Sequence, residues 1–492
     1  MSNNKTVDIF LNPKSVAVIG ASKNPMKGGH RIVYNLVNNN YKGTIYPINP
    51  NSDGELLGLK FNTSVLDVEE EIDLAIFYVP NHRIPQLLEE CIQKKIRGAM
   101  IEASGFEEVG EKGLEIKEQI LKITDNFSKI RIMGPNCMGL TRIDGDSDAE
   151  DNERGGLFTS FGVFSTYKRG NIAIISQSGM LNGGYLMYIM EKYPELGIRY
   201  SCSIGNKMDL NETDFLEYFI EDNTVNVIAV YLESFKDPRK FINLCKKVRK
   251  IPNKTIILVK GGITSQGQKA TLSHTGAIAE NSKLINAIIA QSGVIQAKDF
   301  DELFQFARTF SMMYNENKVM PKQGNVSLVT GSGGAGTVVA DITAQYGLKF
   351  PNFNDKEYEI LVDLYPEWMP PNRFALIDFW PAMEKAMTKN NNRDEIINIV
   401  FELLLNDKKV EGMLNMLFCA RRFGGLPDYK KFVKTINDGS KPVFFWLIGE
   451  VKAVQEVTKY MAQNNIPTFP TIEEMIKNFK ILVQDSKNKN YN

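Results

Sequence analysis

Short apolar segments alternate with longer amphipathic segments along most of the chain. The first five apolar segments have the length of strands and end in turn-forming or small residues. They are SVAVIGAS, GTIYPINP, DLAIFYVP, GAMIEAS and IRIMGPN. Two segments with helical spacing of apolar residues, HRIVYNLVNN and RIPQLLEECIQKK, lie between these strands. The alternation is typical of a parallel sheet wound with helices, and it predicts a first domain over residues 1–143.

A second series of strands and helices follows an acidic interruption. The interruption, DGDSDAEDNERGG, has no apolar periodicity, so we interpret residues 144–168 as a solvated linker or insertion. The second series contains GNIAIISQSGM, YSCSIGN, VNVIAVYLES and KTIILVKGG, and the helical segment DFDELFQFARTFSMMY closes it. These segments predict a second domain over residues 169–318.

The third series begins as an internal repeat of the second. Gly170-Asn171 and Gly324-Asn325 each open an apolar strand, and the strands lead into the turns Ser178-Gly179 and Ser332-Gly333. Later strands are predicted in VEGMLNMLF, KPVFFWLIG and IPTFPT. We therefore expect two similar α/β domains in tandem, the third covering residues 319–488, with DSKNKNYN as a frayed end.

Composition and charge limit the classes of partner. The 492 residues are 43% hydrophobic and 24% charged, which is typical of a water-soluble globular protein. Lysine plus arginine equals aspartate plus glutamate, 58 against 58, so no net charge favours nucleic acid or an anionic membrane. The first residues lack the pattern of a signal peptide, which predicts a cytoplasmic protein. The five cysteines form no CxxC pair, and we expect buried thiols, without a disulfide framework or a metal site.

The turn VIGASKNPMKGG is a candidate anion site. Gly20 and Ser22 lie between a predicted strand and a predicted helix, whose free N–H groups and dipole can face a phosphate. Lys27 and Lys42 are available as cations. The G-x-G-x-x-G pattern is missing, and Asn49 stands where an NAD site carries an acid, so a nucleotide-type ligand other than NAD fits better.

A histidine in KATLSHTGAIAEN is the candidate for phosphoryl chemistry. His274 lies among small residues, and a neutral imidazole can accept a phosphoryl group while a carboxylate orients it. Glu233, at the end of VIAVYLE, is the candidate carboxylate. On spacing alone, the pattern favours an ordinary loop histidine and an exposed strand terminus.

In their order along the chain, the motifs resemble the α subunit of the NDP-forming acyl-CoA synthetases, the acetyl-CoA synthetase (ADP-forming) family related to succinyl-CoA synthetase. The motifs are PKSVAVIGAS, YPINP, MGPNCMG, GNIAIISQSGM, SIGNKMDLNETDFLEYF, VYLES, VKGG and SHTGAIA. The resemblance covers essentially the whole chain and is strongest between residues 13 and 310. It implies an α/β protein with an N-terminal Rossmann-like CoA-binding domain followed by two flavodoxin-like ligase domains.

The resemblance also implies a reaction and its residues. Acyl-CoA, phosphate and NDP are interconverted with acid, CoA and NTP through an acyl phosphate and a phosphohistidine. The phosphorylated residue falls on His274 and the stabilising glutamate on Glu233. The implied CoA contacts are Gly20, Ser22, Lys27 and Lys42, with the loop Pro80-Asn81-His82 closing over them. Asn136 and Cys137 fall beside the thioester, Cys137 without a covalent role, and Ser176, Ser178 and Gly179 fall at the phosphate.

The family carries its nucleotide pocket and magnesium carboxylates in an ATP-grasp domain, on a β subunit or in a fused C-terminal half, and no stretch of this sequence provides both. The resemblance therefore implies that Mg-ATP or ADP is held by a separate ATP-grasp β subunit, in a heterotetramer, while this chain holds CoA and phosphate. The histidine loop would swing from the CoA site to the partner. The acyl substrate is a small molecule.

Three departures from the family pattern leave a second hypothesis open. Glu280 and Asn281 follow the histidine where the family usually has glycine or serine, and residues 144–153 form an acidic insertion. FALIDFWPAM replaces an Asn-Pro-Val-Asp pattern; Asp378 remains, but Phe379, Trp380 and Pro381 are bulkier. The alternative is a non-catalytic acyl-CoA-binding or regulatory homologue. An NAD-linked oxidoreductase is disfavoured by Asn49.

Overall fold

The computed structural model describes residues 3–145, 155–161, 167–275, 281–388, 393–421 and 428–490. The chain forms two compact units, residues 1–307 and residues 308–492, and each is described by itself. Among the described residues, no helix is both long enough and apolar enough to cross a bilayer.

The first sheet contains five parallel strands. The elements of this part are α1 (Asn3–Leu11), β1 (Ser15–Ile19), α2 (Gly28–Asn38), β2 (Thr44–Ile48), β3 (Glu55–Leu56), β4 (Leu59–Lys60), β5 (Leu74–Phe77), α3 (Ile84–Gln93), β6 (Gly98–Ile101), α4 (Glu111–Thr124) and β7 (Arg131–Met133). The strand order is β2-β1-β5-β6-β7, and β3 and β4 form a separate hairpin. Every residue of β1, β5 and β6 is buried, which explains their unbroken apolar sequences.

The second sheet contains seven strands. Its part of the chain comprises β8 (Leu140–Arg142), β9 (Gly156–Phe158), β10 (Lys168–Ser176), a π-helical segment (Leu181–Tyr185), α5 (Leu186–Lys192), β11 (Gly197–Ser203), α6 (Glu212–Glu221), β12 (Val227–Leu232), α7 (Pro238–Val248), β13 (Thr255–Lys260), α8 (Ser265–Thr275), α9 (Ser282–Ser292), β14 (Ile295–Gln296) and α10 (Phe300–Asn315). The order is β14-β13-β12-β10-β11-β8-β9, with β8 and β9 antiparallel to their neighbours.

Strands β8 and β9 differ from the expected domain boundaries. We expected β8 in the first domain and β9 in a linker, whereas both extend the second sheet. Strand β9 is difficult to predict from sequence, because only three of its residues pair with β8 and the residues around them include glycines and polar side chains. Residues 146–154 and 162–166 of the expected linker lie outside the described residues.

The first two sheets share one hydrophobic core. Phe10 of α1 belongs to the same buried cluster as Phe215 and Phe219 of α6. Arg131 and Asp209 reinforce this junction with a 2.7 Å ion pair, and the Asp209 carboxylate also accepts a 2.8 Å hydrogen bond from the N–H of Ile132. Residues 1–307 therefore form a single unit although they contain two sheets.

The second unit contains a five-stranded parallel sheet. Its elements are β15 (Val326–Thr330), α11 (Gly333–Gln345), α12 (Asp355–Leu364), β16 (Leu376–Asp378), α13 (Trp380–Thr388), α14 (Arg393–Asn406), β17 (Gly412–Cys419), α15 (Tyr429–Asp438), β18 (Val443–Gly449), α16 (Val451–Gln463), β19 (Thr468–Phe469) and α17 (Ile472–Asn490). The order is β16-β15-β17-β18-β19. The expected frayed end was wrong as far as Asn490, because α17 continues through it and a 2.7 Å Asp485–Lys489 pair links successive turns.

The predicted α/β class with parallel sheets is confirmed, and the internal repeat extends to side-chain detail. In the second sheet, the hydroxyl of Ser176 donates to the carbonyl of Ser178 at 2.8 Å and accepts from its N–H at 3.1 Å. In the third, Thr330 makes the same two bonds to Ser332, each at 3.2 Å. A hydroxyl at the end of the strand thus shapes both turns before their helices.

Candidate functional site

In the turn after β1, backbone segments of the turn, of β5 and of α2 pack directly against one another. Gly20 has a φ of +95°, and a Cβ atom there would lie 2.3 Å from the carbonyl oxygen of Tyr78, at the end of β5. A Cβ on Gly29 would lie 2.1 Å from the carbonyl oxygen of Gly20. Only glycine fits both positions, so the first turn of α2 packs directly on the loop that ends β1.

A cavity of about 610 Å³ opens at the carboxyl ends of β1, β2 and β5. Its position between β1 and β5 is the point where the strand order reverses, the usual ligand crevice of such sheets. The expected residues that line it are Gly20, Ser22, Lys27 and Pro80. Arg83 lines it as well, and sequence spacing did not single it out. Two cations and the beginning of α2 therefore surround a space suited to an anion.

Asn49 holds the turn after β2 in place. Its amide Nδ2 donates to the carbonyl of Ala21 at 2.7 Å, and its Oδ1 accepts from the N–H of Asn51 at 2.9 Å. Both ends of the side chain are engaged by backbone. This structural role explains an amide where a dinucleotide site has an acid.

The structure does not bring Lys42 to this cavity. Lys42 precedes β2, and the N–H of Thr44 beside it donates to the carbonyl of Lys14, just before β1, at 3.0 Å. Because β1 and β2 are parallel, Lys42 lies at the amino edge of the sheet, opposite the cavity. The expected CoA contact of Lys42 is corrected on this ground.

A series of hydrogen bonds leads from the rim of the cavity to Asn136. Asn81, in the 3₁₀ turn Asn81–Arg83, donates through its Nδ2 to the carbonyl of Gly105. Glu108 accepts from the N–H of Gly105 at 2.6 Å and from the Nδ2 of Asn206 at 2.9 Å. Asn206 in turn accepts a 3.4 Å bond from Asn136. The ends of β5, β6 and β7 are thereby tied into one surface.

Cys137 is a buried thiol. Its side chain is 4% exposed, and its Sγ donates to the carbonyl of Ile101 at 3.3 Å. Burial raises the pKa of the Cys137 thiol well above its ordinary range, which keeps the sulfur protonated. The surroundings suit a structural residue beside Asn136 rather than a nucleophile.

Glu102, at the end of β6, is a buried carboxyl that sequence spacing did not reveal. Its Oε1 accepts a 3.2 Å bond from the N–H of Ser160, and its Oε2 has no hydrogen-bond partner within the described ranges. Burial raises the pKa of Glu102 from 4.5 to about 7. The group is held by packing rather than by a cation.

The turn after β10 is joined to the end of β12 by Gln177. The Oε1 of Gln177 accepts from the N–H of Glu233 at 2.9 Å and from that of Ser234 at 3.3 Å. Ser178 follows Gln177, and Gly179 begins the helical run that contains the π-helical segment. The expected phosphate turn and the expected orienting acid are therefore neighbours, and the linking amide was missed although it lies inside the ISQSG motif.

Glu233 is buried rather than an exposed strand terminus, so that expectation from spacing was wrong. Its side chain is 7% exposed, and its Oε1 accepts a 3.1 Å bond from the hydroxyl of Tyr231. The Nζ of Lys260 donates to the Glu233 carbonyl at 2.7 Å. The carboxylate is thus set in a defined place at the carboxyl edge of the second sheet.

A buried ion pair supports the same strand end. Lys207 and Glu212 are 2% and 1% exposed and lie 3.0 Å apart. Lys207 also donates to the carbonyl of Ser234 at 2.6 Å, and Glu212 accepts from the N–H of Lys236 at 2.7 Å. Both residues belong to the SIGNKMDLNETDFLEYF motif, whose chemistry the sequence alone did not assign.

The backbone places His274 in the last turn of α8 rather than in a loop. Thr271, one turn earlier, lies against Gly262: a Cβ at Gly262 would be 2.9 Å from the Thr271 Oγ1 and 3.8 Å from the carbonyl oxygen of Glu233. Helix α8 therefore passes the strand end that carries Glu233. The side chain of His274 and residues 276–280, with Glu280, lie outside the described residues.

In the second unit, Asp378 and Trp380 occupy the carboxyl edge of the sheet. Asp378 ends β16 and accepts a 3.2 Å bond from the N–H of Trp380. Phe379 is buried, whereas Trp380 is 56% exposed. The bulky FWP sequence thus places one aromatic ring in the core and one on the surface.

Comparison with known proteins covers both domains of the first unit. The family of the CoA binding domain matches residues 14–142, and the succinyl-CoA ligase like flavodoxin domain matches residues 169–310. The acetate–CoA ligase (ADP-forming) II subunit alpha of Pyrococcus furiosus is 32% identical over 495 residues, which cover 98% of each chain. Acetate–CoA ligase (ADP-forming) II of Archaeoglobus fulgidus is 32% identical over 94% of this chain, which spans 64% of that relative's length.

A solved structure extends the likeness to the whole fold. The dinucleotide forming acetyl-coenzyme A synthetase 1 of Ca. Korarchaeum cryptofilum, in complex with phosphate and ADP, matches with a TM-score of 0.83. The match covers 99% of this chain and 98% of that chain at 27% identity.

Replacing Lys207 tests the buried pair. Lys207→Met leaves the Glu212 carboxylate buried without its cation, which should lower the free energy of unfolding by about 3–5 kcal/mol. Urea denaturation followed by circular dichroism measures the loss. Lys192→Met is the matched control, because the Lys192–Asp301 pair is 35% and 53% exposed and its removal should cost about 1 kcal/mol or less. Equal losses in the two variants would contradict the structural role of Lys207.

Glu102 predicts a pH dependence of stability. Because the folded protein binds this proton more tightly than the unfolded chain, the stabilisation is complete below pH 4.5 and is lost as pH rises through about 7. The loss should approach about 3 kcal/mol in the wild type and be absent in Glu102→Gln. Thermal denaturation between pH 5 and 8 measures it, with Glu118→Gln, an exposed glutamate of α4, as control. A Glu102→Gln profile parallel to the wild type would refute the assignment.

Proposed function

Because the chain belongs to the family of ADP-forming acetate–CoA ligases, we propose that it is the α subunit of an NDP-forming acyl-CoA synthetase. The reaction interconverts acyl-CoA, phosphate and NDP with a carboxylic acid, CoA and NTP. One observation carries the proposal: Gln177 joins the Ser176–Ser178 turn to the buried Glu233, and α8, with residue 274 at its end, passes the same place. A phosphate turn, an orienting acid and a histidine are the groups that phosphoryl relay requires.

The cavity in the first sheet suits CoA. Lys27 and Arg83 supply charge for the phosphate groups, and the close turn at Gly20 lets backbone N–H groups approach them. From its rim, the surface through Asn81 and Asn136 provides a path along which a pantetheine arm can lie, with polar groups for its amides. The thioester would then lie near Asn136.

In the first step, an oxygen of phosphate attacks the thioester carbonyl. The C–S bond breaks, and the sulfur leaves as CoA after taking a proton, which gives an acyl phosphate. Ser176, Ser178 and Gly179 hold the phosphate, because the helix that begins there directs its N–H groups and its dipole at the anion. Cys137 stays protonated and takes no part in bond formation.

In the second step, a ring nitrogen of His274 attacks the phosphorus of the acyl phosphate. The P–O bond to the acyl group breaks, and the carboxylate product leaves. Glu233 accepts a hydrogen bond from the other ring nitrogen, which fixes the tautomer and stabilises the positive ring as the phosphoryl group arrives. The phosphoryl group then passes to NDP.

The last transfer takes place on a partner. We assign Mg-ATP and ADP to a separate ATP-grasp β subunit in a cytoplasmic heterotetramer, in line with relatives of matching length that are named as subunit alpha. The movement of the histidine between the two subunits is the step that links CoA chemistry to nucleotide chemistry.

A second candidate is a non-catalytic acyl-CoA-binding homologue. The exposed Trp380 and the buried Phe379 in the second unit favour it, since the resemblance implies a less bulky Asn-Pro-Val-Asp pattern there. The buried, doubly supported Glu233 favours catalysis, because a protein that only binds acyl-CoA has no use for an orienting acid at that position. The two candidates differ in whether the chain becomes phosphorylated.

Phosphorylation of His274 is the decisive prediction. After incubation with Mg-ATP and the ATP-grasp partner, intact-mass analysis should show one phosphoryl group on this chain, and mild acid should remove it. His274→Ala should show none and should abolish turnover, while its CoA affinity stays within about twofold of the wild type because the histidine acts after CoA binds.

Two results would contradict this mechanism. Phosphorylation that persists in His274→Ala would place the acceptor elsewhere. A wild-type chain that binds CoA but is not phosphorylated by an active partner would favour the non-catalytic homologue. His82→Ala, which changes a histidine of the 3₁₀ turn Asn81–Arg83, is the control for loss of an imidazole, and it should keep the phosphoryl group.

Glu233→Gln tests the orienting acid. The variant keeps a hydrogen-bond acceptor but loses the charge, so single-turnover phosphoryl transfer should slow by roughly ten- to hundredfold. Quenched-flow measurement of phosphorylated chain gives the rate. Tyr231→Phe removes the hydroxyl that donates to Glu233 but keeps the carboxylate, and it should change the rate less. A wild-type rate in Glu233→Gln would remove this residue from the mechanism.

A further inference from the structure

The helical run after the phosphate turn has a face of glycines. Gly179 begins the run, and Gly183 and Gly184 follow within the π-helical segment. Residues four and five positions apart lie on the same side of such a turn, because a π turn closes between residues i and i+5. At these three positions the run therefore presents bare backbone, directly beyond Ser178.

Three apolar side chains cover these glycines, two from other segments of the chain and one from the run itself. A Cβ on Gly179 would lie 2.6 Å from the Cγ of Met138, and one on Gly183 would lie 2.8 Å from the ring of Phe161. A Cβ on Gly184 would lie 3.0 Å from the Sδ of Met180 and 3.6 Å from the Cζ of Phe161. Any larger residue at these positions would displace the three side chains, which together form an uncharged surface.

Two of the three residues are held in place through their backbone, and the side chain of the third is exposed. The N–H of Met138 donates to the Ser203 hydroxyl at 3.0 Å. The carbonyl of Phe161 accepts a 2.8 Å bond from the buried Asn35 of α2. Met180, in contrast, is 65% exposed. The three residues form an apolar surface, and the thioether of Met180 lies at its solvent-exposed edge.

The apolar surface lies between the two loops at which the proposed reaction takes place. Met138 directly follows Asn136 and Cys137, and Gly179 directly follows Ser178. Ile204 donates to the Ser176 carbonyl at 2.8 Å, beside the Ser203 that holds Met138. A thioester carbonyl between Asn136 and the phosphate turn would therefore direct its acyl substituent at this surface.

We propose that Met138, Phe161 and Met180, packed over Gly179, Gly183 and Gly184, bind the acyl group and select apolar monocarboxylic acyl chains longer than acetyl. The inference rests on the proposed function. Thioethers adapt to chains of different shape, and an aromatic ring adds contact area. A dicarboxylic acyl group is disfavoured, because its second carboxylate would lose water against three uncharged side chains.

The test measures binding of CoA thioesters to the whole chain by isothermal titration calorimetry, without turnover. The probes are CoA, acetyl-CoA, butyryl-CoA, hexanoyl-CoA and succinyl-CoA. Affinity should rise by about two- to fourfold for each methylene group that the surface covers, and succinyl-CoA should bind less tightly than butyryl-CoA.

Met180→Ala should remove most of this chain-length preference and leave the affinity for CoA itself unchanged. Met187→Ala is the matched control: Met187 is also an exposed methionine of the same helical run, 37% exposed, and the preference should persist. Met180→Lys should bind succinyl-CoA several-fold more tightly and hexanoyl-CoA less tightly, because it offers a cation in place of the thioether.

Equal affinity of the wild type for acetyl-CoA and hexanoyl-CoA would overturn the proposal, as would a full chain-length preference in Met180→Ala. Either result, with CoA itself bound, leaves the proposed function intact. Absence of CoA binding by the wild type would contradict the proposed function as well, so the two failures are distinguishable.

Discussion

The site in the first unit depends on the side-chain amide of Gln177. Its single oxygen accepts two backbone N–H groups at the end of β12, so the turn that follows β10 and the strand end that carries Glu233 cannot move independently. Gln177 is 6% exposed, and the absence of competing water makes these bonds stronger than they would be at the surface. Lys260 and Lys207 donate hydrogen bonds to the carbonyls of Glu233 and Ser234 at the same strand end. The position of this strand end is therefore fixed by buried side chains as well as by the sheet.

Glycine residues join other pairs of segments, because the lack of a side chain lets two backbones approach closely. Gly20 brings the loop after β1 onto the end of β5, and Gly29 brings the first turn of α2 onto that loop, beside the cavity. At Gly179, the approach seats Met138 on the helical run that follows the Ser176–Ser178 turn. In both places a glycine lets another segment pack directly against the backbone.

Most of the fold could be predicted from the sequence, because buried parallel strands need unbroken apolar runs and those runs are visible. The site could be predicted only in part. Lys42 was placed with the CoA contacts by residue type, whereas the direction of β2 puts it at the opposite edge. Glu102 and the Lys207–Glu212 pair were missed because burial of a charged side chain leaves no mark in spacing. The helical conformation of DSKNKN was not predicted because this segment has no apolar residues at helical spacing. Its last turns are linked instead by the ion pair between Asp485 and Lys489.

The internal repeat places the same turn geometry in two different surroundings. Five strands of the second sheet, β14-β13-β12-β10-β11, have the same order as β19-β18-β17-β15-β16 of the third, and Ser176 and Thr330 make the same bonds at corresponding strand ends. Tyr231 is level with Ser176, and Glu233 lies two residues beyond it. In the third sheet, Asn415 is level with Val329, so the residue that corresponds to Glu233 is Phe418, which is 56% exposed. The turn is retained in both copies, but of the two corresponding positions Glu233 in the first unit is a buried acid and Phe418 in the second is an exposed apolar residue, so the proposed phosphoryl transfer is assigned to the copy in the first unit.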